Sequence, residues 1–111
     1  MLHKMKLQSS PFELIAQGKK DIEMRLFDEK RQKIKAGDNI EFENAKTGER
    51  LLVEVVGLHI FDSFDMLYSA FNKKRLGYTE KESAKPEDME KYYPVCEISK
   101  YGVVGIEINL I

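Results

Sequence analysis

Residues 37–61 read "GDNIEFENAKTGERLLVEVVGLHIF", two alternating runs joined at Thr47-Gly48 and preceded by a Gly37-Asp38 turn. A period of two sends successive side chains to opposite faces of a strand, and a short glycine-containing link makes neighbouring strands antiparallel. The second arm, "RLLVEVVGLHIF", is long, and Gly57 inside it is the natural place for a bulge where the strand bends. A fold built on this hairpin must contain an antiparallel sheet.

The rest of the chain fits around that sheet. "HKMKL" alternates His3, Met5 and Leu7 against Lys4 and Lys6, and predicts a first strand. "SPFE" predicts a helix start, with Ser10 as cap, Pro11 at the first helical position and Glu13 closing a capping box. Phe12, Leu14 and Ile15 supply its buried side, and Gly18 ends it after two turns. "KDIEMRLF" follows as a strand with Ile22, Met24 and Leu26 on one face and Asp21, Glu23 and Arg25 on the other. Ser63 or Asp62 caps a helix over "FDMLYSAF", "TEKE" at 79–82 repeats the capping-box pattern, and Pro86 starts a short helix that Pro94 stops. "GVVGIEINLI" closes the chain as a strand. About five strands and two to four short helices predict an α+β fold with a curved or closed, mostly antiparallel sheet. A doubly wound parallel sheet fits poorly, because it needs more crossover helices than the pattern offers.

A length of 111 residues with 42% apolar and 33% charged side chains predicts one globular domain over 1–111, with a core large enough to need no metal or disulfide staple. Cys96 is the only cysteine, "MLHKMKLQSS" carries no secretory pattern, and no apolar run is long enough to span a membrane, so the expected location is the cytoplasm. The net charge of −1 argues against indiscriminate polyanion binding. Charge is uneven, however: residues 4–35 hold nine Lys/Arg against five Asp/Glu. No metal-ligand spacing surrounds His3 or His59, no phosphate-cradling glycine loop occurs, and no cofactor or metal is expected. Phe64, Tyr68 and Phe71 fall at core spacing, and Lys73, Lys74 and Arg75 read as a solvated run. Of the adjacent Tyr92 and Tyr93, one can cover the core while the other faces a groove and stacks on a base.

The stretch "GKKDIEMR", residues 18–25, stands apart. Lys20 sits at a corner between helix and strand, and Glu23 and Arg25 share a strand face where they can pair. An arginine held by a carboxylate presents its remaining donors to a base edge, carboxylate or phosphate. A lysine beside it has a reason for a lowered pKa. Strict alternation puts Lys20 on the Ile22 face, so convergence of the three requires a twist or bulge near residue 21.

"GKKDIEMR" matches the G-x-K-x-x-E-x-R signature of the ASCH domain family, a branch of the PUA-like superfamily, at Gly18, Lys20, Glu23 and Arg25. The "GDNIEF" strand after it and the closing "YGVVGIEINL" also resemble that family. The resemblance implies a small PUA-like β-barrel of about five to six strands with short flanking helices, and a cleft lined by Lys20, Glu23 and Arg25; Arg31 of the basic stretch and Tyr93 are further candidate ligand contacts. It implies an RNA, nucleoside or nucleotide ligand. One branch of the family hydrolyses N4-acetylcytidine, which makes a small amidohydrolase with Lys20 and Glu23 as catalytic groups the alternative. Those hydrolases carry threonine where this chain has Glu23, and a later glutamate for which only Glu80 or Glu82 is on offer.

Overall fold

The computed structural model describes all 111 residues. Its centre is the hairpin, with β3 (Asn39–Asn44) antiparallel to β4 (Arg50–Phe61). For clarity, β1 is Leu2–Leu7, β2 is Ile22–Leu26 and β5 is Val103–Leu110. The length of β4 lets it pair with β3 on one side and β5 on the other, and β5 pairs in turn with β2. The strand order is β1-β3-β4-β5-β2, antiparallel throughout except that β1 runs parallel to β3. A parallel pair needs a crossover, and the chain makes it through helix α1 (Ser9–Ala16) and β2.

The register of β4 against β5 slips between Val55 and Gly57, so the bulge expected at Gly57 is present. A bulge adds bend and right-handed twist. The mixed five-stranded sheet is curled into a half-barrel, in an α+β arrangement with short helices. Its inner face carries Met5, Leu7, Ile40, Phe42, Val53, Val55, Val104 and Ile106, and Phe12 and Ile15 of α1 cover them. On the back, Ile22, Met24 and Val103 pack under Phe64 and Leu67 of helix α2 (Phe64–Ala70), together with Leu76 and Met89. Gly105 makes that approach possible. A Cβ there would lie 3.1 Å from Ile22 Cγ2 and 3.5 Å from Leu67 Cδ1. No helix is long and apolar enough to cross a membrane.

Three local expectations change. Helix α1 begins at Ser9 after Gln8, and no side chain caps it. The Ser9 hydroxyl instead donates to Asn44 Oδ1 at 3.1 Å, because the buried Asn44 side chain at the end of β3 takes up the nearest donors. Pro11 is still tolerated, since the first-turn N–H groups have no helical acceptor. Residues 79–82 form a turn rather than a helix: Thr79 N–H donates to Glu82 Oε1 at 2.9 Å, the capping geometry without the helix. Helix α2, by contrast, is capped by Ser63, whose Oγ accepts from Met66 N–H at 3.3 Å. Pro94 ends the 3₁₀ segment Pro86–Lys91 and at once precedes helix α3 (Val95–Tyr101), which the sequence pattern did not announce. That helix is seven residues long and buries none of them, so it has no apolar stripe to read.

Gly102 joins α3 to β5 at φ +72°, and a Cβ there would sit 2.9 Å from the Phe61 carbonyl oxygen. Backbone strain and a clash with a central strand coincide. Gly102→Ala is expected to destabilise the fold by about 2–3 kcal/mol, read as a lower urea midpoint with an unchanged slope. An unchanged midpoint would contradict this packing.

Candidate functional site

The site starts from the end of α1. Gly18, at φ +74°, donates to the Ile15 carbonyl at 3.0 Å, while Lys19 N–H donates to the Leu14 carbonyl at 2.9 Å. This pair of bonds closes the helix and turns the chain directly into β2. At the corner, one carbonyl, that of Arg75, accepts from both Asp21 N–H and Ile22 N–H at 3.1 Å. Regular alternation fails there, and Lys20 is free to turn toward Glu23. The twist that convergence requires near residue 21 therefore exists.

Lys20, Glu23 and Arg25 form one ladder. Lys20 Nζ donates to the Leu76 carbonyl at 2.7 Å and lies 3.6 Å from Glu23 Oε1. Arg25 Nε donates to Glu23 Oε2 at 2.9 Å, and Arg25 Nη2 donates to the Lys6 carbonyl at 2.9 Å. Lys20 and Glu23 are each only 5% exposed, so the ladder is not a surface ion pair. Glu23 lies opposite Ile106 and Arg25 opposite Val104, both inner-core residues, and opposed residues share a face. The pair thus projects to the inner side of the half-barrel. By reaching Lys6, Arg25 spans the gap between the sheet's two edge strands, β1 and β2.

Burial sets the electrostatics. It pushes the Lys20 ammonium below the ordinary lysine range; Glu23 opposes the shift and Arg25 adds to it. Burial also works against the charge on Arg25, but Glu23, with Tyr93 next, outweighs it and holds the guanidinium firmly ionised. Two basic groups thus share one carboxylate.

The ladder forms part of the wall of a cavity of about 540 Å³. This is within the range of small-molecule sites. Tyr68, Tyr78, Asp88, Tyr92 and Tyr93 line the same cavity. Tyr93, the tyrosine named from sequence as a ligand contact, stacks on Phe64 with ring centroids 6.1 Å apart, and Tyr92 is the exposed one. Gly77 lies behind Lys20: a Cβ there would come within 3.2 Å of Lys20 Cδ.

Of the residues singled out from sequence, Lys20, Glu23, Arg25 and Tyr93 come together around this cavity. Arg31 does not line it; its Nη1 donates to Asp28 Oδ2 at 3.1 Å in the loop beyond β2. Glu82 reaches the cavity and Glu80 pairs with Lys74 outside it. Arg75 is not part of a solvated run. It donates to Asp21 at 2.9 Å and to Glu107 at 3.0 Å, pinning the loop against the corner it holds through its carbonyl. Tyr68, Tyr78 and Asp88 were not anticipated as a group; the available signal was a tyrosine at a core helical position, whose hydroxyl needs a partner. No group of His, Cys, Asp and Glu side chains is arranged to hold a metal.

Known structures share this fold. The crystal structure of the hypothetical protein PH0355 is 37% identical over the full length of both chains, with a TM-score of 0.85. The solution structure of PF0455 from Pyrococcus furiosus is 35% identical, covers all of this chain and 98% of its own, and has a TM-score of 0.78. A variant of the ZmASCH protein from Zymomonas mobilis, 11% identical, aligns with 97% of this chain and 68% of its own at a TM-score of 0.70, a likeness of fold. No curated protein matched. The family model for the ASCH domain matches residues 5–111, so the curled half-barrel is the PUA-like ASCH fold and the chain belongs to the ASCH domain family.

Proposed function

We propose that this chain binds a nucleotide, free or within single-stranded RNA, in the cavity beside Lys20, Glu23 and Arg25. The observation that carries the reading is a buried, donor-rich ladder that shares a cavity of about 540 Å³ with a group of tyrosines. Lys20 and Arg25 are donor-only groups suited to carbonyl or phosphate oxygens, and the tyrosines offer faces for a base. The net charge of −1 on the whole chain favours a small or local ligand over a long duplex. The basic loop carrying Lys30, Arg31, Lys33 and Lys35 would follow the backbone of a longer RNA strand.

Arg25 serves both the ligand and the fold, because it neutralises Glu23 and ties β2 to β1. Arg25→Ala would therefore cost stability as well as binding. Arg25→Lys keeps a charge beside Glu23 but loses the planar fork. It is expected to weaken mononucleotide or short single-stranded RNA binding at least about tenfold, with a thermal transition still present. Titration calorimetry showing equal affinity in the wild type and this variant would sink the reading.

One observation favours a second reading. A lysine depressed by burial and set 3.6 Å from a carboxylate can act as nucleophile or base, the arrangement needed to cleave the amide of an N4-acetylcytidine-like nucleoside. Cytidine released by the wild type and not by Lys20→Met would support it, and no turnover above that control would end it. The same depression fixes a stability trend. Below its folded pKa, Lys20 is protonated in both states and the fold bears the cost of burying the charge. As pH rises through that value toward the ordinary lysine pKa of about 10.4, the folded chain releases its proton first, and stability rises. Urea midpoints of the wild type should gain over those of Lys20→Met across that window; parallel curves would rule the depression out.

A further inference from the structure

A second group of cavity-lining side chains has a direction of its own. Tyr68 Oη lies 2.8 Å from Tyr78 Oη, and Tyr78 Oη donates to Asp88 Oδ2 at 2.9 Å. All three residues line the cavity. A carboxylate can only accept, so the Tyr78 proton is committed to Asp88. Tyr78 then has only lone pairs left for its neighbour, so the Tyr68 proton is committed to Tyr78. What remains on Tyr68 is an oxygen with no proton to give. Glu82, whose Oε1 accepts from Thr79 N–H, adds a second carboxylate to the same cavity.

We infer that Tyr68, Tyr78 and Asp88 form an acceptor wall that selects bases carrying an exocyclic amino group over their keto counterparts. The inference rests on the nucleotide reading above and specifies its ligand. An amino group projects beyond the ring edge and offers two N–H donors, and the wall receives one. A carbonyl at the same ring position would set lone pair against lone pair. Lys20 and Arg25, which line the same cavity, only donate, so the cavity offers both donors and acceptors to a base that carries both. Burial raises both phenols above the ordinary tyrosine range, and hydrogen bonds to Tyr68 and Asp88 add to the effect at Tyr78. The protons that set the direction therefore stay in place at neutral pH.

The test compares cytidine with uridine, and adenosine with inosine, by titration against the wild type, Tyr78→Phe and Asp88→Asn. Tyr78→Phe keeps the ring packed against Tyr68 but frees the Tyr68 proton. Asp88→Asn offers an amide that can donate as well as accept, so the chain can run either way. The wild type should prefer each amino member at least about tenfold, and both variants should bring the ratio to within about threefold while still binding cytidine. Equal binding of both members by the wild type, or a ratio unchanged in both variants, overturns the inference and leaves the nucleotide reading standing. If none of the four nucleosides binds the wild type, the comparison is repeated with CMP, UMP, AMP and IMP, and failure of all four to bind overturns the inference and the nucleotide reading together.

Discussion

The interaction on which the site depends is the buried carboxylate of Glu23 held between Lys20 and Arg25. Removing Glu23 would leave Lys20 and Arg25 buried without their shared carboxylate, at a cost of roughly 3–5 kcal/mol. All three members are therefore committed to one another, and each is anchored by a different part of the chain. Lys20 is fixed by the Leu76 carbonyl, Arg25 by the Lys6 carbonyl, and Glu23 by its place in β2 opposite Ile106. The ladder draws together the first strand, the corner after α1 and the loop after α2. A half-barrel whose edges are not joined by a backbone ladder acquires a side-chain link at the place where its cavity opens.

The loop at 72–78 shows how the surroundings hold that geometry. Its backbone supplies the Arg75 carbonyl to the corner at residues 21 and 22 and the Leu76 carbonyl to Lys20. Its Arg75 side chain clamps Asp21 and Glu107, and its glycine at 77 leaves room for the lysine stem. A charged run thus becomes a structural staple, because the sheet offers acidic partners at that point.

This also marks where sequence reasoning reaches its limit. The hairpin, the bulge at Gly57, the corner at Gly18 and the cap at Ser63 were legible because each depends on neighbours close in sequence. The pairing of β1 with β3 was not, since a parallel partner is separated by a crossover that leaves no local mark. Glu23 and Arg25 read as a polar strand face, although that face points into the half-barrel. Alternation reports which residues share a side, but not whether water lies there. The ladder itself was recognisable only through its family signature. The contacts of Lys20 with residue 76 and of Arg25 with residue 6 span 56 and 19 positions, so spacing alone could not announce them. The hydrogen bonds of Tyr78 to Tyr68 and Asp88 each reach ten residues across helix, loop and 3₁₀ segment, for which no sequence period exists.

The two groups of cavity-lining side chains bear on the choice between binding and catalysis. Each oxygen of Glu23 faces a basic group, Lys20 at 3.6 Å and Arg25 at 2.9 Å, so a substrate proton would have to compete with those groups for the carboxylate. Lys20 likewise spends one donor on Leu76 and faces Glu23 with another. Such a group holds its place well, and it must break a stabilising contact before it can act on a substrate. Rigid donors and committed acceptors within one cavity are what recognition requires: fixed polarity, low reorganisation and a shape that excludes the wrong edge. The depressed lysine keeps chemistry within reach. Turnover would require a substrate that displaces Glu23 from Lys20, whereas binding requires only one that matches the polarity already in place.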